Sequence, residues 1–372
     1  MDPAILTAYD AARNFGDKTF RSHCYAPHTS LYFNTEGDVR VCCHNWSCPA
    51  GNISTQTIGE IWNGEAIKRI RRALEAKSFS QGCGFCEWQM ATGSLVNLSM
   101  RKWDHLPVDS HDPEWPIQME FSINNTCNLE CIMCNGKQSS AVRAHRDKLP
   151  PIPNPYGDAF FSELRSYLPH LKKAGFLGGE PFLQAGCARI WNMLIEDGIQ
   201  LPCHITTNGT QYNERVERFL ENLPFSFSVS LDGYRRETIE SIRVNAKYDI
   251  LMRNVNRFRT YTRARNTHFG LAYCLMRPNW EEFGDFCLFA DSLECSVFVN
   301  AVRTPPALSL YTLTPAELRR IVDSMDAQAE RVVPLLQRNR GVWTGELERL
   351  RARSLGLSPM LDRHVKIKVG NA

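Results

Sequence analysis

The sequence predicts an α/β fold: a partial (β/α)6 barrel between Trp115 and about Val302, preceded by a small α+β hairpin-and-helix segment and followed by a helical tail. Three observations carry that prediction. Short runs such as Ile117, Met119, Phe121 and Ile123 alternate apolar and polar residues at period two, as strands with one buried face do. Stretches of helical spacing separate these runs. Finally, three cysteines follow the first run at once, which puts a loop with chemistry at the carboxyl end of a strand.

Composition bounds the remainder. A chain of 372 residues suggests about two to three folding units, read here as 1–110, 111–305 and 306–372. With 43% hydrophobic and 10% aromatic residues, a sizeable core is easily buried, so disorder is excluded. The net charge of +3 is small and no basic stripe interleaved with aromatics occurs, so a nucleic-acid partner is not expected. Met1 to Asp10 shows no basic and then apolar signal pattern, and no run approaches the roughly 20 apolar residues of a membrane span. A cytoplasmic, reducing setting follows, in which the 14 cysteines serve metals or catalysis.

Taken in order, Leu31 to Cys42 reads as two short strands around Glu36-Gly37-Asp38, with Gly37 free to take positive φ. Cys24 precedes this hairpin and Cys42 ends it. A helix is expected from Thr57 to about Ala76 on the stripe Ile61, Ile67, Ile70 and Leu74. A Cys-x2-Cys knuckle, Cys83 and Cys86, comes next. Four such thiols suit structural zinc or a fully ligated iron–sulfur cluster, and spacing alone favours zinc. Cys43 and Cys48 are two further thiols within ligand range.

Strands are expected near 117–123, 173–177, 202–206, 226–231, 268–275 and 296–302. Helices are expected near 138–147, 158–170, 184–197, 211–222, 236–263 and 279–293. Strand–helix alternation implies a parallel sheet with right-handed crossovers and a site at the carboxyl ends of the strands. Cys127, Cys131 and Cys134 occupy the first such loop. Three thiolates suit one face of a cubane cluster and leave one iron without a protein ligand. A zinc site wants four ligands, and His145 is the nearest histidine beyond the triplet.

Cys127-x3-Cys131-x2-Cys134 after a first strand resembles the signature of the radical S-adenosylmethionine (SAM) superfamily, in which SAM chelates the open iron of a 4Fe-4S cluster. Later motifs fall in that family's order. Gly178-Gly179-Glu180-Pro181 resembles the element that contacts the SAM amino group; glycines admit a close ligand, and a carboxylate accepts from an ammonium. Asn208 in Thr206-Thr207-Asn208-Gly209 and Ser230 in Ser230-Leu231-Asp232-Gly233 match positions beside SAM. Arg243 resembles an arginine that pairs with the SAM carboxylate. Met133 stands where the family often has an aromatic residue over adenine, and a thioether still covers that face.

The N-terminal pattern, Cys24-x12-Gly37-x4-Cys42 followed by Gly51-Asn52-Ile53, Ile61-Trp62 and the closing Cys83-x2-Cys86, resembles SPASM or twitch domains. The resemblance implies a second, auxiliary 4Fe-4S cluster on Cys24, Cys42, Cys83 and Cys86. In most relatives this domain follows the barrel, whereas here it precedes it.

The family implies reductive cleavage of SAM to a 5′-deoxyadenosyl radical, with an electron from flavodoxin or ferredoxin, and hydrogen abstraction from an unactivated C–H bond. The substrate is expected to be a small molecule (carbohydrate, aminocyclitol or nucleoside) ahead of a peptide. Oxidation through the auxiliary cluster is one outcome. Epimerisation is the other, with Cys274, Cys203 or Cys187 returning a hydrogen atom. Alternation on the fifth strand puts Ala272, Cys274 and Met276 on one face and Leu271, Tyr273 and Leu275 on the other. A non-catalytic iron–sulfur or zinc protein is the reading from another class. The tail beyond Pro305-Pro306 reads as helices near 314–339 and 343–355, a lid, a packing element or a dimer surface.

Overall fold

The computed structural model describes residues 3–356 apart from 17, 19, 92–94, 96 and 97. Its strands are β1 (Ser30–Phe33), β2 (Asp38–Arg40), β3 (Gly51–Asn52), β4 (Gln118–Phe121), β5 (Lys173–Phe176), β6 (Cys203–Thr207), β7 (Phe225–Ser230), β8 (Phe269–Leu275) and β9 (Ser296–Ala301). All six expected strands of the α/β region form. Two compact units emerge, and they do not follow boundaries at 110 and 305.

The first unit takes Met1–Thr126, Pro151–His204 and Glu221–Pro224. Its strand order is β3-β2-β1-β4-β5, and the start of β6 continues it. The predicted hairpin is present, its turn held by Asn34 Oδ1, which accepts from the backbone N–H groups of Glu36 and Asp38 at 2.9 and 2.8 Å. Gly37 takes φ +84° there. The hairpin is not a separate layer, however. β1 pairs antiparallel with β2 and parallel with β4, so one ladder carries the N-terminal segment into the parallel set. On one face Phe33, Phe121 and Phe176 stack across β1, β4 and β5 at 5.5 and 5.3 Å, and Trp191 of helix Ala185–Glu196 closes on Phe176 at 5.1 Å.

The expected helix from Thr57 divides into Ile58–Trp62 and Glu65–Glu75. Thr57 and Glu60 form a capping box that starts the first. Gly64 sits where a Cβ would lie 2.7 Å from the Glu60 carbonyl, so the chain restarts its helix there.

The second unit takes Cys127–Pro150, Ile205–Leu220 and Phe225–Ala372. The end of β6 and β7, β8 and β9 form its sheet, with β7–β8 and β8–β9 parallel. Two helices depart from expectation. The span 236–263 breaks into Arg236–Ile242 and Tyr248–Arg265, because the carbonyls of Ile242 and Val244 accept from the N–H groups of Ile132 and Glu130 at 2.9 and 3.1 Å instead of continuing a helix. The span 138–147 contracts to a π-turn at Val142–Arg146.

The tail forms helices Pro315–Val332 and Arg340–Ser354. Asn339 fastens them to β9: its Nδ2 donates to Asp291 Oδ1 and the Cys295 carbonyl, and its Oδ1 accepts from Val297 N–H at 2.7 Å. The described part of the tail is thus packed on the second unit, and its end at 357–372 lies outside the described residues. No helix among the described residues is long and apolar enough to cross a membrane.

Candidate metal centres

Within the second unit, Cys127, Cys131 and Cys134 meet in an apolar nest. Leu129, Cys131 and Ala246 form its buried floor, and Cys127, Met133 and Cys134 pack against it. The loop is held by backbone capture. Ser140 Oγ accepts from Cys127 N–H at 3.1 Å, Ser139 Oγ donates to the Leu129 carbonyl at 2.8 Å, and Arg146 donates to the carbonyls of Cys131 and Cys134. Burial pushes the Cys131 thiol up to about 12 and raises Cys134, while Arg243 pulls both down.

Arg243 is the cation of this site. It is 6% exposed, its Nη1 lies 3.9 Å from Cys131 Sγ, and its Nη2 pairs with Asp232 at 2.6 Å. Burial works against the guanidinium charge, and Asp232 together with the neighbouring thiols of Cys131, Cys274 and Cys134 more than offsets it. Asp232 is fully buried with φ +60°, and its Oδ1 also accepts from Cys274 N–H at 2.6 Å. Asn279 closes the arrangement by donating to the carbonyls of Asp232 and Cys274, both at 2.9 Å. Asn208 Nδ2 stands 3.7 Å from Cys127 Sγ and 3.0 Å from Asn128 Oδ1.

Seven of the sequence-predicted residues thus gather here: Cys127, Cys131, Cys134, Met133, Asn208, Arg243 and Cys274. Cys274 and Met133 pack on the same cluster of Ile242, Met276 and Val302, and Tyr273 packs on Phe283 and Phe286 instead, as the alternation predicts. Ser230 ends β7 half-buried, in register with Ala272. Sequence reasoning overlooked Asp232 as a functional partner, although it stands inside the quoted Ser-Leu-Asp-Gly run.

The first unit holds the Gly178–Pro181 turn. Gly178 (φ +78°) and Gly179 (φ +45°) lie so close to Ser122 and Thr126 that added Cβ atoms would be 2.2 Å from Ser122 Oγ and 2.3 Å from the Thr126 carbonyl. Glu180 N–H donates to that carbonyl at 2.8 Å. The Glu180 side chain is fully buried and accepts from Phe182 N–H, and Pro181 is buried beside it.

Cys24, Cys42, Cys83 and Cys86 line one pocket of the same unit, with Leu74, Phe79, Met100 and Trp103 among its walls. Burial pushes Cys24 and Cys83 up to about 12 and raises Cys42 and Cys86 well above the usual thiol value. Cys43 and Cys48 stand outside the lining: Cys43 senses Glu120 and Lys102 and bears in turn on Cys42 and Cys86, and Cys48 bears on Cys83. Among the described residues no group of three or more Cys, His, Asp or Glu is placed to hold a single metal ion. Soft thiols sharing a desolvated pocket without converging on one point suit a cluster, where each thiolate binds a different iron.

Two predicted hydrogen donors are corrected. Cys187 is fully buried and donates to Gln184 Oε1 at 3.3 Å. Cys203 is 1% exposed, donates to the Leu201 carbonyl at 3.3 Å and opens β6, at the strand end opposite the one where parallel-sheet sites form. Both thiols are buried and engaged by neighbouring carbonyl groups.

Two family profiles match the chain: the radical SAM superfamily over residues 121–290 and an iron–sulfur cluster-binding domain (SPASM) over residues 24–87. No curated protein matches it significantly. Among solved structures it is similar to Streptococcus suis SuiB bound to S-adenosylmethionine, at 14% identity over 58% of this chain and 45% of that one, with a TM-score of 0.37. It is similar also to SuiB bound to the precursor peptide SuiA, at 12% identity over 75% and 63% with a TM-score of 0.40. A third is anSMEcpe with bound AdoMet, at 17% identity over 57% and 60% with a TM-score of 0.37. The chain spans less than two thirds of the length of each.

Proposed function

Because this chain is a radical SAM protein with a SPASM iron–sulfur domain, using SAM and 4Fe-4S clusters, we propose that it abstracts hydrogen from an unactivated C–H bond of a small natural-product intermediate and completes a net oxidation. The observation that carries this reading is the three-thiol nest with Arg243 and Asn208 at its side. When bound there, the cluster supplies the electron that cleaves SAM to methionine and a 5′-deoxyadenosyl radical.

The residues of the chain hold and shield. Cys127, Cys131 and Cys134 would hold the SAM-binding cluster. Arg243 offsets thiolate charge, and Leu129, Met133 and Ala246 keep water from the sulfurs. Cys24, Cys42, Cys83 and Cys86 would hold the auxiliary cluster, which would supply a one-electron acceptor. A flavodoxin or ferredoxin is the donor in this reading.

Epimerisation is the second reading, favoured by one observation: of the three candidate thiols, Cys274 alone is incompletely buried and stands at the nest.

The test is 5′-deoxyadenosine formation by protein reconstituted anaerobically. Cys131→Ala should abolish it, and retained cleavage with an intact cluster would refute the assignment. Iron analysis separates the two centres: about eight irons should fall to about four in a variant with Cys127, Cys131 and Cys134 all changed to alanine. Product formed in D2O decides the outcome, since epimerisation through a thiol places solvent deuterium at the inverted carbon and oxidation does not.

A further inference from the structure

Positive charge gathers just past the cysteine loop of the second unit. Between Asn135 and Pro150 stand four cations, Lys137, Arg143, Arg146 and Lys148, and one carboxylate, Asp147, a formal surplus of +3 that equals the net charge of the whole chain. All residues from 144 to 150 are exposed, as is Lys137. His145 and Arg146 keep 67% and 41% of their side chains accessible, and Leu149 is 49% exposed.

Named contacts fold this segment into one surface. Asp147 Oδ2 accepts from Gly136 N–H at 2.8 Å, and a Cβ on Gly136 would stand 3.0 Å from Arg143 Cα, so the start of the segment closes on its later part. Leu149 N–H donates to the Arg143 carbonyl at 2.9 Å, and the Arg143 guanidinium donates to the Pro150 carbonyl. Lys148, just before Leu149, turns the chain at φ +55°. On the flank, Glu130 Oε1 lies 3.0 Å from His145 Nδ1 and accepts from Asn245 Nδ2 at 3.0 Å, which brings the exposed residue before it, Val244, to the same region.

Arg146 ties this face to the three thiols. Its guanidinium, open to solvent, donates to the carbonyls of Cys131 and Cys134, so one side chain links the surface to two ligand residues. Asp147 lies 3.8 Å from Arg146 Nε, too far for a hydrogen bond. Exposed arginines elsewhere in this unit are matched more closely: Arg236 meets Asp249 at 2.6 Å and Arg331 meets Asp285 at 2.8 Å. An excess of exposed cations speeds encounter with an acidic partner, and Leu149 among them gives that partner an apolar seat. Glu130 and Asp147, set among the cations, match the mixed charge of a protein surface better than a uniform polyanion.

We propose that the face formed by Lys137, Arg143, Arg146, Lys148 and Leu149 docks an acidic one-electron carrier protein. In each encounter the reduced carrier loses one electron, the cluster on Cys127, Cys131 and Cys134 gains it, and no bond forms or breaks. Only the destination of the electron rests on the enzymatic reading. Redox encounters need a small interface that releases quickly, and a patch of a few exposed charges supplies one.

The test uses the anaerobically reconstituted protein and an acidic flavodoxin. Calorimetry reads binding of oxidised flavodoxin, and stopped-flow bleaching of the cluster absorbance reads electron transfer from the reduced form. Lys137→Glu with Lys148→Glu should weaken binding about ten-fold or more and slow reduction by flavodoxin to match, while reduction by methyl viologen, a small cation, should not fall. Added salt should weaken wild-type binding more than that of the double variant. Should the double variant fail to fold, Lys148→Glu alone carries the comparison. No binding of flavodoxin by wild type, equal binding by a folded variant, or an equal loss of reduction by methyl viologen would overturn the proposal. Binding and reduction are read without SAM, so a protein that takes electrons from flavodoxin and makes no 5′-deoxyadenosine fails the enzymatic reading and leaves the docking face standing.

Discussion

Asp232→Asn keeps the size of a fully buried side chain and removes its charge. Asparagine Oδ1 still accepts from Cys274 N–H, so the perturbation is electrostatic and falls on Arg243. At 2.6 Å and an effective dielectric of about 20, the lost attraction is about 6 kcal/mol. Relief of the carboxylate's own desolvation offsets part of that, and breaking a buried pair typically costs about 3–5 kcal/mol. We expect about 3 kcal/mol in the metal-free protein, read from the first denaturant transition. With the cluster in place the loss should shrink, because the Cys131 thiolate, 3.9 Å from Arg243, takes over part of the compensation. Asp232→Asn with Arg243→Gln should recover most of the metal-free loss, since no lone ion is left. A single-variant cost below about 1 kcal/mol, or a double variant no better than the single, would refute the view that these two groups are a closed buried pair.

Other expectations can be checked in parallel. His23 and His28, 2% and 1% exposed, are held down to about 4 by burial. Because their folded values lie below the unfolded one, the stability they contribute is complete above about pH 6.5 and is lost as pH falls through about 4, by about 3 kcal/mol for each group. Thermal unfolding from pH 7 to 4 should show this, and His28→Gln should flatten the slope. Gly179→Ala should cost about 3 kcal/mol and SAM binding with it, because its Cβ meets the Thr126 carbonyl at 2.3 Å in a positive-φ turn. Gly198→Ala, at φ +65° with nothing within 4 Å, should cost only about 1 kcal/mol, and equal costs would refute the steric argument. Cys83→Ala should remove about four irons and block product while SAM cleavage stays measurable; unchanged product yield would make the N-terminal centre structural.

Much of the fold was legible because it is written locally. Strands form at all six places where the sequence reading puts them, and the Asn34 turn and Thr57 capping box are set within four residues. The helix breaks at 63–64 and 243–247 were not legible. The second depends on carbonyls captured by Ile132 and Glu130, more than a hundred residues away. Adjacent Cys42 and Cys43 are equal candidates in the sequence, and the pocket separates them only by where the chain turns after β2.

The sequence by itself determined the chemistry. Cysteine spacing selects ligands from one short loop, and short-range steric rules put that loop at a strand end. Only the tertiary structure decided which charges face one another. The alternation of β4 foretells one buried face, yet Gln118 and Glu120 on the other are buried as well, and Lys102 pairs with Glu120 from a separate helix. Likewise Arg243 meets Asp232 and Cys131 through a helix break that no local pattern encodes. Hydrophobic periodicity is a property of neighbours along the chain, whereas charge compensation is a property of neighbours in space.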